Sequence, residues 1–285
     1  MVYFCADDYG ISAESNRHIE SCLKNGVLNK ISVLPNGEIT DFKKILSGSD
    51  VTLSLHINLI EGYPLSKPED IPLLVSDDGG FKYSFAGLFF LSFTAKRREL
   101  EKQIYKEIQS QIKFWKMAIG ENTLLSIDSH QHTHMIPIIF KALMRVIKDE
   151  GLNVKSVRIP AEPISPYIFT PSLYLSYTPK GLLKQWVLKI LAFLNRRELK
   201  KLNIPFPYFM GVMFSGELNE SRLQKLLPHY LKIAKKSGKN IEIGFHPGYL
   251  ENKATLICAS RKSFSKFYFS HWRKTEYDTL INFKI

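Results

Sequence analysis

Cysteine is scarce. The three thiols in 285 residues, Cys5, Cys22 and Cys258, are too few and too scattered for a disulfide framework or a thiolate metal site. They read as buried free thiols in a reducing compartment. Long apolar runs are absent too. The greasiest stretch, Phe85 to Phe93, is too short to cross a bilayer, which takes about 18 or more residues. The first residues lack a basic n-region, a long h-region and a small-residue cleavage site, so a cytoplasmic location is expected. No glycine-rich dinucleotide loop follows the first apolar strand. What stands there is Ala6-Asp7-Asp8-Tyr9-Gly10, which argues against a nucleotide-binding sheet. No internal repeat or low-complexity linker divides the chain, so one domain over 1–285 is expected. Acidic charge is in short supply: 27 carboxylates face 39 Lys and Arg, giving a net charge of +12 and a pI near 9.4. Such a field attracts polyanions. No module interleaving exposed aromatics with Lys and Arg is recognisable, so nucleic acid is not an expected partner.

What is present is a β-then-α alternation. Strands are predicted at Val2–Cys5, Lys30–Leu34, Val51–Asn58, Leu124–Asp128, Val154–Ile159, Phe209–Phe214 and Asn240–Phe245. Helices are predicted at Ala13–Asn25 with Ser12 as N-cap, Thr40–Leu46, Arg97–Ile119, Ile136–Glu150, Gly181–Lys201 and Glu220–Ser237. The pattern implies a mostly parallel sheet, and the chain length suits one α/β barrel of about 250 residues. Residues 62–95 and 160–208 read as insertions, the first as a long loop and the second containing the basic helix.

Four polar clusters follow predicted strands. Asp7-Asp8 follow the first, His56 ends the third, and Asp128, His130, His132 and His134 follow Leu124–Ile127. His246-Pro247-Gly248 follow the last. In a parallel barrel all these strand ends open on one face, where barrel enzymes keep their active sites. One of two adjacent carboxylates can bind a divalent cation while the other takes a proton from water. With imidazoles completing the shell, positions stay open for water and substrate, as hydrolysis requires. If the segment 128–134 is extended, its alternating imidazoles point to one side. At least one of them then supports the ligands or touches substrate.

Four segments taken in order resemble the YdjC-like carbohydrate deacetylases. They are Ala6-Asp7-Asp8-Tyr9-Gly10-Ile11-Ser12 with Asn16, Leu55-His56-Ile57-Asn58-Leu59, Asp128-Ser129-His130-Gln131-His132-Thr133-His134-Met135 and Glu242-Ile243-Gly244-Phe245-His246-Pro247-Gly248. A weaker match follows at Arg273, Glu276 and Leu280. The resemblance implies a single distorted (β/α) barrel related to the polysaccharide deacetylases. It implies one divalent metal ion, magnesium or zinc, held by Asp8, His56 and His130. It makes Asp7 the base that activates water, His246 the acid or oxyanion group, and Arg158 the partner of that aspartate. His132, His134, Glu162 and Tyr9 become expected substrate contacts, Tyr9 standing where the family usually has Phe. The implied reaction is removal of an N-acetyl group from an amino sugar.

The segment 160–215 departs from the compact chitooligosaccharide enzymes of that family and carries the basic helix instead. Gly181–Lys201 has apolar residues at helical spacing, with Lys and Arg mostly at its ends. Such a helix either packs against the barrel or lies on an anionic membrane. The second case means peripheral contact with the inner membrane face and a lipid-linked substrate. A homodimer stays open. Hydrolysis of another bond, such as a phosphoester, would use the same metal shell, and a non-catalytic basic binding protein is the remaining alternative.

Overall fold

The computed structural model describes residues 1–38, 51–121, 123–251 and 266–284. The helix expected at Thr40–Leu46 and the thiol of Cys258 lie outside those residues; Cys5 and Cys22 are buried and free.

Seven strands form one parallel sheet: β1 (Val2–Tyr9), β2 (Lys30–Val33), β3 (Thr52–Ile57), β4 (Leu125–Ser129), β5 (Val154–Val157), β6 (Tyr208–Met210) and β7 (Ile241–Phe245), in the order β5-β4-β3-β2-β1-β7-β6. Nearly every residue of β1, β2, β4 and β7 is buried, as expected when helices cover a parallel sheet. The α-helices among the described residues are α1 (Ala13–Asn25), α2 (Phe85–Leu91), α3 (Arg97–Ile119), α4 (Pro137–Asp149), α5 (Ser165–Ile168), α6 (Pro179–Leu202), α7 (Glu220–Ser237) and α8 (His271–Asn282). Ser12 caps α1 by accepting from the Ser15 N–H, an interaction worth about 1 kcal/mol.

The sheet curls into a half-barrel. β5 and β6 form no ladder, and one backbone hydrogen bond, Val157 N to Pro205 O at 3.1 Å, spans the seam. The flanking Pro160, Pro163, Pro205 and Pro207 supply no N–H to extend pairing beyond that bond. The insertions also differ from expectation. Residues 85–91 form a helix inside the stretch read as loop, and Pro171–Ser176 forms a 3-10 turn before α6.

The C-terminal helix α8 was not legible in the periodicity. It lies close against α1, where a Cβ at Gly26 would stand 2.3 Å from the Leu280 carbonyl oxygen. That contact carries Arg273 and Glu276 to the strand ends, both fully buried.

Candidate metal centre and catalytic cleft

The strand register gathers the polar clusters. His56 on β3 pairs directly with Asp128 on β4. Ala6 on β1 pairs with Phe245 on β7, so Asp7 and His246 leave the sheet side by side. In a regular strand Asp7 and Asp8 would point to opposite faces. Here the β1–β2 register shifts between Ala6 and Tyr9, and Asp8 takes a left-handed φ of 67°. That bulge turns both carboxylates toward the same end of the sheet.

Asp8 sits among imidazoles. Its Oδ1 lies 2.8 Å from His130 Nδ1 and 3.6 Å from His56 Nε2. Each ring is held from its far side by another carboxylate. Asp128 Oδ1 is 2.5 Å from His56 Nδ1, and Glu61 Oε2 is 2.6 Å from His130 Nε2. With those far nitrogens donating, a cation that displaced the proton between His130 Nδ1 and Asp8 would find the lone pairs of His56 Nε2 and His130 Nδ1 turned toward Asp8. The His56 Nε2 atom is buried without a hydrogen-bond partner. Asp8, His56 and His130 thus offer one donor atom each, all within 4.8 Å of one another. Two imidazoles and a carboxylate with converging lone pairs and carboxylate-backed rings fit a divalent cation.

Among the described residues two other groups have converging donor atoms, Asp7-His56-Asp128 and Cys5-Asp128-Glu242. Both already surround a positive charge. The buried Arg158 guanidinium grips Asp7 with two bonds of 2.6 and 2.8 Å, and reaches Glu242 at 2.5 Å and Asp128 at 3.1 Å. Lys30 closes the network on Glu242 at 2.7 Å. A metal ion there would meet the Arg158 guanidinium, whereas at the Asp8 set Arg273 holds only the far oxygen Oδ2 and leaves Oδ1 to the imidazoles, so among the described residues the Asp8 set suits a cation best.

Electrostatics divide the cleft the same way. Burial works against the charged form of Asp7, but the Arg158 charge outweighs it and holds the carboxyl below its usual range. Burial likewise disfavours charged imidazoles. Around His56 the carboxylates, Asp128 foremost, overcome this and lift the ring to about 9. At His130, Asp8 foremost, they lift it to about 10. Without a cation the carboxylates therefore recruit protons in its place.

Not every expected residue joins this centre. The extended reading of 128–134 is corrected: residues 130–135 form a 3-10 turn with Gln131 and His132 left-handed, which sends the three imidazoles apart. His134 uses both ring nitrogens, on Ser129 Oγ at 2.5 Å and the Arg158 carbonyl at 2.8 Å. Burial lowers its pKa to about 4. It is a neutral strut with no nitrogen left for a substrate. Glu162 is spent on the N–H groups of Gly211, Val212 and Met213, and burial raises its pKa. The Tyr9 ring is wholly buried, with its hydroxyl on Glu20. These three hold the walls together rather than face the opening.

His132 differs. Its ring stands edge-on to Phe209, its Nδ1 has no partner, and burial followed by the Arg158 charge keeps it neutral. His246 keeps 17% of its side chain exposed. Its Nδ1 is buried 3.5 Å from Glu276 Oε2, so the open edge of the ring is the other one. The following Gly248 is obligatory, because a Cβ there would lie 1.7 Å from Ser15 Oγ.

The sequence profile of YdjC-like proteins matches residues 1–284. The chain belongs to the YdjC-like family. A carbohydrate deacetylase of Thermoanaerobacter pseudethanolicus is 29% identical over 164 residues, covering 56% of this chain and 61% of that one. A carbohydrate deacetylase of Danio rerio is 29% identical over 160 residues, covering 55% of this chain and 49% of that one. The matched region thus spans about half to three-fifths of the length of these curated relatives. A crystal structure from Enterococcus faecalis V583, of a protein named for cellobiose-phosphate cleavage, superposes with a TM-score of 0.67 at 16% identity. It covers 99% of this chain and 90% of that one, which establishes the shared fold.

Within this member of the family, three site residues escaped the sequence reading of the cleft. Glu61 lies four positions past the end of β3, and its other oxygen, Oε1, is buried without a partner. A carboxylate just beyond a histidine-bearing strand was the available signal. Tyr268 donates to Glu61 Oε2 at 2.9 Å. Arg273 donates to Asp8 Oδ2 and to the Gly248 carbonyl, under the rings of Phe267 and Tyr268. Only the weak tail match pointed to Arg273.

Proposed function

We propose that this protein is a metal-dependent hydrolase that removes the N-acetyl group of an amino sugar. One observation carries the reading: the unpartnered His56 Nε2 and the His130 Nδ1 converge on Asp8 Oδ1, beside an Asp7 that Arg158 keeps ionised. The names of the matched relatives supply the substrate class. Asp8, His56 and His130 would hold the cation, magnesium or zinc, the nitrogen-rich donor set being the more natural for zinc. A divalent cation there supplies Lewis acidity toward an amide carbonyl and makes water a usable nucleophile near neutral pH.

The chain's own groups do the rest. Asp128 and Glu61 fix the two ligand rings in one tautomer. Asp7 accepts a proton from the attacking water, its carboxylate fixed by both guanidinium bonds. The water oxygen bonds to the acyl carbon and the C–N bond breaks. His246, turned by Glu276 so that one edge faces the opening, delivers a proton to the departing nitrogen. Acetate and a free amine leave. His132 borders the same space as a neutral contact for the sugar.

Mass spectrometry across free and lipid-linked N-acetylhexosamines tests the reading. Loss of one acetyl group from at least one of them, abolished by a chelator and restored by a divalent cation, is expected. Intact amides throughout, with cleavage of a phosphoester panel instead, would overturn it.

A further inference from the structure

Helix α6 is apolar on two opposite sides. At 3.6 residues per turn, Gln185, Leu188, Leu191, Asn195 and Leu199 share one side and are buried. On the opposite side Leu183, Trp186, Phe193 and Leu194 are 62, 65, 58 and 54% exposed. The patch continues onto the preceding segment. Ile168 and Tyr174 face Leu182 and Trp186 across a groove of about 280 Å³. Core packing accounts for the first side of the helix and leaves the second without an apolar partner among the described residues, and contiguous exposed apolar patches mark interaction sites.

Charge selects the occupant. The helix carries seven Lys and Arg and one acid, Glu198, and that acid is already engaged by Lys201 at 2.6 Å. Arg197 and Lys200 project on the same side as the exposed apolar residues, by the same helical count. A second copy of this chain would bring an equal positive charge against the face, in a molecule of net charge +12. A surface that is apolar beneath and negative on top answers both features. We propose that the outer face of α6, with the 164–177 segment, seats on an anionic phospholipid bilayer, its aromatic side chains at headgroup depth. No helix among the described residues is long and apolar enough to cross a membrane, so the contact is peripheral.

The helix is also tied to the cleft. Asn195 donates to the Met135 carbonyl at 2.8 Å, at the end of the turn that begins with His130. Gln185 donates to the Glu162 carbonyl at 2.7 Å. A bilayer gripping α6 therefore holds the cleft at a fixed height and orientation. The inference concerns binding and stands independently of the reaction proposed above.

Co-sedimentation of the full chain with phosphatidylcholine vesicles, with and without phosphatidylglycerol, tests it. At low salt the anionic vesicles are expected to bind at least about tenfold more protein, with the difference collapsing at high salt. Trp186→Glu with Phe193→Glu, and separately Arg197→Glu with Lys200→Glu, should each cut binding by at least about tenfold. All four side chains are exposed, so unchanged thermal melting of both variants is expected to accompany the loss. Equal binding to neutral vesicles, no binding at low salt, or undiminished binding by both variants would overturn the proposal. So would a wild-type dimer, seen by light scattering, that Trp186→Glu with Phe193→Glu converts to monomer.

Discussion

Asp7 and Asp8 are identical neighbours in sequence, yet they stand in opposite surroundings. Asp7 belongs to a saturated network in which Arg158 and Lys30 answer the carboxylates of Asp7, Asp128 and Glu242. Asp8 also meets a guanidinium, Arg273 on its Oδ2, but its Oδ1 belongs to an unsaturated network, where His56 Nε2 and Glu61 Oε1 are buried without partners. A saturated buried network fixes geometry and leaves no room for a cation. An unsaturated one stores binding capacity, because each orphaned lone pair has a desolvation cost that a ligand can recover. The bulge at Asp8 lets one dipeptide feed both.

The sharpest way to break the contrast is Arg158→Met. It leaves three carboxylates buried around one lysine, and the expected cost is about 3–5 kcal/mol of stability by chemical denaturation. A loss under about 1 kcal/mol would mean that the Asp7 side is not a charge-balanced support. Asp7→Asn probes the same side chemically. Bound metal, measured by plasma mass spectrometry, should be retained while turnover falls roughly 10²-fold or more. The mirror experiment, Asp8→Asn, should lose the metal and the activity together. If Asp7→Asn loses the metal as well, the two aspartates share one site and the division drawn here fails.

Glu61→Gln tests the unsaturated side more gently. It keeps the shape but withdraws the carboxylate behind His130, and metal affinity should drop about 10- to 100-fold with little change in melting. The smallest effect concerns pH. In the metal-free protein His56 and His130 titrate at about 9 and 10, above the usual 6.5 of a free imidazole. Their protonated forms therefore stabilise the apo fold fully below about pH 6.5, and that contribution fades as pH rises toward the folded values. A cation needs the neutral rings, so it competes with those protons and binds better as pH rises. The metal-induced rise in Tm should thus grow between pH 6 and 8, by about 2–3 °C for each tenfold gain in affinity. A metal-induced shift that is flat across this range would place the cation on groups other than these imidazoles.

Much of the frame is legible in the sequence. Most of the strands alternate with helices of the right period, the Ser12 cap sits where α1 begins, and four polar clusters follow strands. What failed did so for local reasons. The alternating imidazoles of 130–134 suggested one shared direction, but the backbone turns at Gln131 and leaves strand geometry. The basic helix was weighed as either packed or membrane-facing, whereas its two apolar sides let it pack on one and stay exposed on the other. Periodicity reports how apolar residues recur along a helix, and it is silent about how many sides find a partner.

The sequence alone determined the parallel α/β frame, because strand burial and helical period are short-range patterns that survive in any context. It also determined which residue types gather at the strand ends, since parallel strands all deliver their C-terminal neighbours to one face. Only the tertiary structure decided that the barrel stays open at the β5–β6 seam, where prolines supply no N–H. It alone placed Glu61 behind His130, set Arg273 from the last helix on Asp8, and spent His134 and Glu162 on backbone groups. Those outcomes rest on contacts between residues tens to hundreds of positions apart, which no local pattern encodes.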